Sequence, residues 1–203
     1  MTARIAGLPY DSRDDESLIH VGVSGSYRTP TTNQVSLSSR PEAHLAPKFV
    51  DTGTLNDVSS VQILGAEFAV QHGPLHAAAE YLAQHLDADQ LGDPDFAGWY
   101  ASAGWFITGE RFTYNHVDGV FGAPKVSKPY GRANGLGAFE LVARVSSLDL
   151  NGGTVRGGRI DDVTLGVNWY LTDSFRFAVD GIRSHVDGIG SVNLLEMRLQ
   201  VAF

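Results

Sequence analysis

Seven basic side chains in this sequence have a chemistry in common: Arg40, Arg111, Lys125, Lys128, Arg144, Arg176 and Arg198. Guanidinium and ammonium groups facing water inside a narrow, low-dielectric passage replace part of an anion's hydration shell. Several weak sites in succession let the ion leave again. Arg144, Arg176 and Arg198 fall on the polar side of alternating stretches, and Lys125 and Lys128 reach inward if their long aperiodic segment folds back. The competing chemistry is a wall of cross-strand ion pairs, with Glu67, Glu80, Glu140, Glu196 and Asp180 as partners.

Catalytic chemistry has one candidate. Phe49-Val50-Asp51-Thr52-Gly53-Thr54 places two apolar residues before Asp-Thr-Gly-Thr, as in an aspartic-protease loop, where a dimer brings two carboxylates together to share a proton. No flap hairpin or downstream apolar-apolar-Gly segment accompanies it, and Asp-Thr-Gly is also a common turn. His72 and His76 have the spacing of a helical metal pair, but Gly73 and Pro74 forbid the helix. The glycines at 152, 153, 157 and 158 lack the Gly-Lys-Ser/Thr ending of a phosphate loop. No metal, cofactor or catalytic residue is expected. The chain has no Cys, which excludes disulfides and thiolate metal sites. Its formal net charge of −8 argues against nucleic acid as a partner.

The elements that must carry these side chains have a period of two. Met197, Leu199, Val201 and Phe203 form one apolar row with Glu196, Arg198 and Gln200 between them. Ser17 to Arg28 sets Ile19, Val21 and Val23 against His20, Gly22 and Ser24. Gln62 to Gln71 and Leu75 to Gln84 form a hairpin about His72-Gly73-Pro74, and Ala97 to Thr108 aligns Trp99, Ala101, Ala103, Trp105 and Ile107. Strands follow at about 137–150, 160–171 and 174–185. Arg4 to Leu8 reads as a strand end closed by Pro9, 11–16 as a turn, and 34–40 as a weak strand. The long loops are 41–59 and 109–135, with a shorter external loop at 151–159.

The fold class is all-β, an antiparallel transmembrane β-barrel of eight to ten strands in this chain. No apolar run is long enough for a transmembrane helix. A soluble sandwich alternates in the same way. Trp99 and Trp105 near opposite ends of one apolar row suit aromatic girdles at two interfaces, and Phe203 suits a closing strand. With the carboxy terminus periplasmic, the short turns fall on one side and 109–135 falls with them, which suggests that it folds into the lumen. Eight or nine strands leave two edges needing partners, so the chain is either a closed small barrel or half of a larger one. The amino terminus has no basic region followed by an apolar core, so no signal peptide is read there.

Several blocks carry a resemblance: SRPEAH at 39–44, VDTGTL at 50–55, LGAEFAV, HGPL and AAEYL across 64–82, GWYASAGWFITGE at 98–110, GAFELVARVSSLDL at 137–150 and VNWYLTDSFRF at 167–177. In order and spacing they resemble the phosphate-selective porin O and P family. The resemblance implies a bacterial outer-membrane barrel of sixteen strands, of which this chain is the carboxy-terminal half. It also implies a homotrimer in outer-membrane lipid, delivered by the barrel assembly machinery through the strand ending at Phe203. Small anions, phosphate or polyphosphate, would pass by diffusion along a lumen lined by Arg and Lys. Arg40, Glu110, Glu140 and Arg144 lie on matching motif positions. The acidic balance leaves a general-diffusion or weakly cation-selective pore as the first alternative. A soluble all-β aspartic-protease-like domain using Asp51 is the second.

Overall fold

A computed structural model describes residues 1–12, 16–132 and 134–202. Nine strands form one antiparallel meander: β1 (Thr2–Ser12), β2 (Ser17–Arg28), β5 (Ser60–His72), β6 (Leu75–Asp87), β7 (Asp95–Phe106), β10 (Ala138–Gly152), β11 (Val155–Thr172), β12 (Phe175–Val186) and β13 (Gly190–Val201). Two short hairpins stand apart from this sheet. One is a strap of β3 (Val35–Ser39) and β4 (Val50–Leu55), and the other is an insert of β8 (Phe112–Asn115) and β9 (Val120–Pro124). Among the described residues the sheet is not closed on itself: β1 and β13 are its edges.

The period of two sets the two faces. Val23, Leu64, Trp99, Trp105, Leu165, Met197 and Leu199 are exposed on one face. The opposite face carries His20, Glu67, Glu80, Glu140, Arg144, Asp162 and Arg176 along the same strands. In water such an apolar face would be a large interaction surface, and in lipid it is the surface a barrel presents.

Both hairpins lie on the polar face, one from each end of the wall. The strap joins β2 to β5, and its Val50, Leu55 and Val58 pack with Leu86, Phe96, Leu150, Ile160 and Val186 of the wall. Val58 and Leu86 are fully buried. Each such side chain contributes about 1.5–3 kcal/mol on burial. The insert joins β7 to β10 at the other end, where Phe112 and Val126 pack with Phe106, Ala138 and Tyr170. Gln71 fixes it further by accepting from Phe112 N at 3.1 Å and donating to Phe112 O at 3.2 Å.

Several expected boundaries move. Pro9 does not end the first strand. β1 continues to Ser12 with a register shift between Gly7 and Tyr10, because proline's missing N–H is tolerated at an edge bulge. The turn expected at 11–16 therefore starts later, and its residues 13–15 lie outside the described residues. The weak strand at 34–40 is real as β3, but it pairs with β4 inside the expected loop 41–59. The loop expected at 151–159 is a tight turn, since β10 runs to Gly152 and β11 starts at Val155. Gly153 takes the left-handed conformation there, and its neighbour in space is the backbone of Leu91 and Gly92, leaving no room for a Cβ. The segment 109–135, expected to fold into the lumen, contains β8 and β9 and packs over the polar face. Phe203, read as the closing aromatic, lies outside the described residues.

Candidate functional site

Midway along the polar face, a cavity of ≈ 750 Å³ opens between the strap and strands β7 and β10 to β13. Arg40, Arg144, Arg176 and Arg198 line it, against three carboxylates, Glu42, Asp180 and Glu196. Three strands (β10, β12 and β13) and one strap segment thus converge four of the seven basic candidates on one space. Arg40 is exposed at the strap, where its Nε donates to Ala46 O at 2.8 Å. Arg176 Nη2 donates to Gln200 Oε1 at 3.0 Å, and its guanidinium carbon lies 5.7 Å from the centre of the Tyr170 ring. Its buried Nε has no hydrogen-bond partner among the described residues. A guanidinium so held is a donor still short of an acceptor. Arg198 is exposed on β13.

Arg144 differs. Its Nε donates to Glu42 Oε1 at 2.5 Å, and its guanidinium carbon lies 3.7 Å above the Tyr100 ring. The same carboxylate accepts from Ser146 Oγ at 2.7 Å and, through Oε2, from Thr164 Oγ1 at 2.6 Å. Glu42 N donates to Asp162 Oδ2 at 3.0 Å. Sequence reasoning sought the partner of Arg144 on neighbouring strands and missed Glu42, which arrives from the strap. A clue lies in the inward rows, which turn apolar at one end (Leu86, Phe96, Leu150, Ile160, Val186) and so call for a covering segment.

Of the five expected wall partners, Asp180 lines the first cavity and the other four have separate fates. Glu67 pairs with Arg4 at 2.6 Å and accepts from His20 at 3.3 Å. Glu80 sits in register between Glu67 and Tyr100. Glu196 accepts from His44 N at 2.8 Å, a second tie to the strap. Glu140 is buried and pairs with no arginine among the described residues. It accepts from Asn168 Nδ2 and Tyr170 Oη, both at 2.9 Å, with His76 Nε2 at 2.8 Å. Gly104 makes this possible, because a Cβ there would collide with the His76 ring.

The remaining basic candidates lie elsewhere. A second cavity of ≈ 700 Å³ at the insert end is lined by Arg111 and Lys125, with Asp11, Glu16, Glu110 and His116 as its acidic and imidazole groups. Arg111 pairs with Glu16 at 3.3 Å. Lys128 is exposed and lines neither cavity. Tyr114 Oη, also on this cavity, lies 2.8 Å from His20 Nδ1. Burial pushes the phenol up from its ordinary value, with Glu67 and Asp11 adding to the rise against Arg4. Asp51 lies on β4 beside a bulge in the strap: its Oδ1 accepts from Gly53 N at 2.7 Å, and Lys48 lies 3.9 Å away.

Comparison with known proteins gives a consistent picture. The family described as phosphate-selective porin O and P matches residues 1–203. An uncharacterized protein of Caulobacter vibrioides is 32% identical over 172 residues, covering 83% of this chain and 34% of that protein. Porin O of Pseudomonas aeruginosa is 26% identical over 208 aligned residues, covering 87% of this chain and 46% of that protein. The chain therefore spans less than half the length of these curated relatives.

Proposed function

Because this chain belongs to the phosphate-selective porin O and P family, outer-membrane porins and not enzymes, we propose that it forms part of the wall of a pore passing small anions by diffusion. The observation carrying this reading is the cavity in which four arginines meet three carboxylates, on the polar side of a wall whose other side is an exposed apolar row. Cationic donors there lower the cost of stripping water from an anion, and their spacing over several strands makes each site weak. Phosphate and polyphosphate are the anions this reading favours.

Unpaired N–H and C=O groups along β1 and β13 cannot face lipid, so both edges must be paired, and in this reading further strands pair them. Assembly as a homotrimer in outer-membrane lipid, delivered by the barrel assembly machinery, belongs to the same proposal. A second reading, a general-diffusion or weakly cation-selective pore, is favoured by the neutralisation of Arg144 by Glu42 and by the net charge of −8. The reversal potential of the full-length protein in a planar bilayer under a KCl gradient decides between them. An anion-selective potential is the expected result, and a cation-selective one overturns the anion reading while leaving the pore.

A further inference from the structure

Glu42 belongs to the strap, yet its two carboxylate oxygens are occupied by three side chains of the wall, Arg144 and Ser146 on β10 and Thr164 on β11. The strap also has other attachments. Val50, Leu55 and Val58 already seat it on an apolar floor, and His44 N ties it to Glu196. Two hydroxyl donors and one guanidinium donor thus converge on a single carboxylate. The charge it carries is set directly against one of the four arginines of the cavity.

Resting on the pore reading above, we infer that Glu42 is a selectivity-determining residue of the passage. It cancels Arg144 at the level where the strap narrows the polar face, and so fixes the anion preference below what four free arginines would give. Asp180 and Glu196 face the same space and balance Arg176 and Arg198 in number. The Glu42–Arg144 pair therefore leaves Arg40 as the surplus cation, and removing Glu42 adds a second. A passing ion senses such a charge strongly, because the lumen is narrow and its walls have a low dielectric constant. The role is one of charge and not of contact with the solute, since Glu42 has its oxygens turned to the wall.

The test is a charge cycle in the full-length protein, read as the anion-to-cation permeability ratio in planar bilayers. Glu42→Gln keeps the shape and is expected to raise the ratio by about threefold or more, and Arg144→Gln to lower it by a similar factor. The double variant restores the net charge and is expected to return close to wild type. A ratio that Glu42→Gln leaves unchanged or lowers overturns the inference. So do two single variants that shift the ratio in the same direction with no recovery in the double, the pattern of a merely structural latch. Wild-type protein that opens no conductance overturns the pore reading itself, and this inference with it; that result is distinct from a conducting wild type whose selectivity ignores Glu42.

Discussion

Tyr114 Oη and His20 Nδ1 lie 2.8 Å apart, although the two residues are separated by 94 positions in the chain. Tyr114 belongs to the insert and His20 to the wall, so this hydrogen bond ties the hairpin to the polar face. With the Nε2–H of His20 directed at Glu67 Oε1, 3.3 Å away, Nδ1 is the acceptor of the phenolic proton. A phenol keeps that proton at neutral pH, and burial raises the Tyr114 pKa further.

Removing the phenol should loosen the insert without unfolding the wall. Tyr114→Phe deletes one part-buried bond, worth about 1 kcal/mol, and leaves His20 with an unsatisfied nitrogen. Amide exchange across 112–124 should quicken about fivefold while β5 and β6 stay protected. Unchanged exchange would mean that Gln71 and the aromatic packing alone hold the hairpin.

The strap should be more sensitive to its apolar floor than to its polar ties. Val58 is fully buried, so Val58→Asp places an unpaired charge in that floor and costs several kcal/mol locally. Single-channel conductance of the full-length protein is expected to rise as the strap lifts from the wall. A conductance equal to wild type would take the strap out of the conduction path.

The two lysines of the long segment should differ. Lys125 lines the insert cavity and Lys128 does not. Lys125→Gln is expected to reduce anion preference by about twofold, and Lys128→Gln to leave it unchanged; the permeability ratio measures both. Equal effects would mean that distant surface charge, and not lining, sets the preference.

The outward row offers a test of its environment. Leu165 is 65% exposed on the apolar face. Leu165→Arg should destabilise the protein in bilayers by about 2–4 kcal/mol, the cost of a base at the midplane of a barrel's lipid face. Denaturant titration of protein folded into vesicles measures it, and a neutral effect would indicate that the row faces water.

The wall was legible because one rule governs it. Every outward and inward assignment on β2, β5 to β7 and β10 to β12 follows from alternation, and alternation is local. Glu42 and Tyr114 were not legible, because their partners lie 94 to 122 positions away and their segments have no period long enough to read. Pro9 misled for a different reason: its effect depends on whether the strand is an edge, which only the topology reveals. Glu140 has the alternation of a lumen residue, yet it is buried by the insert that packs around Phe106.

The central claim, that one side of each strand faces lipid and the other a water-filled passage, is tested most directly on β13, where Arg198 and Leu199 are neighbours on opposite faces. These 203 residues contain no Cys, so Arg198→Cys and Leu199→Cys in the full-length protein each report a single new site against the unsubstituted protein. A charged thiol reagent added to the protein in bilayers is expected to modify Cys at 198, with a drop in current, and to leave 199 untouched. Modification of both positions at similar rates, or of 199 alone, would contradict the account.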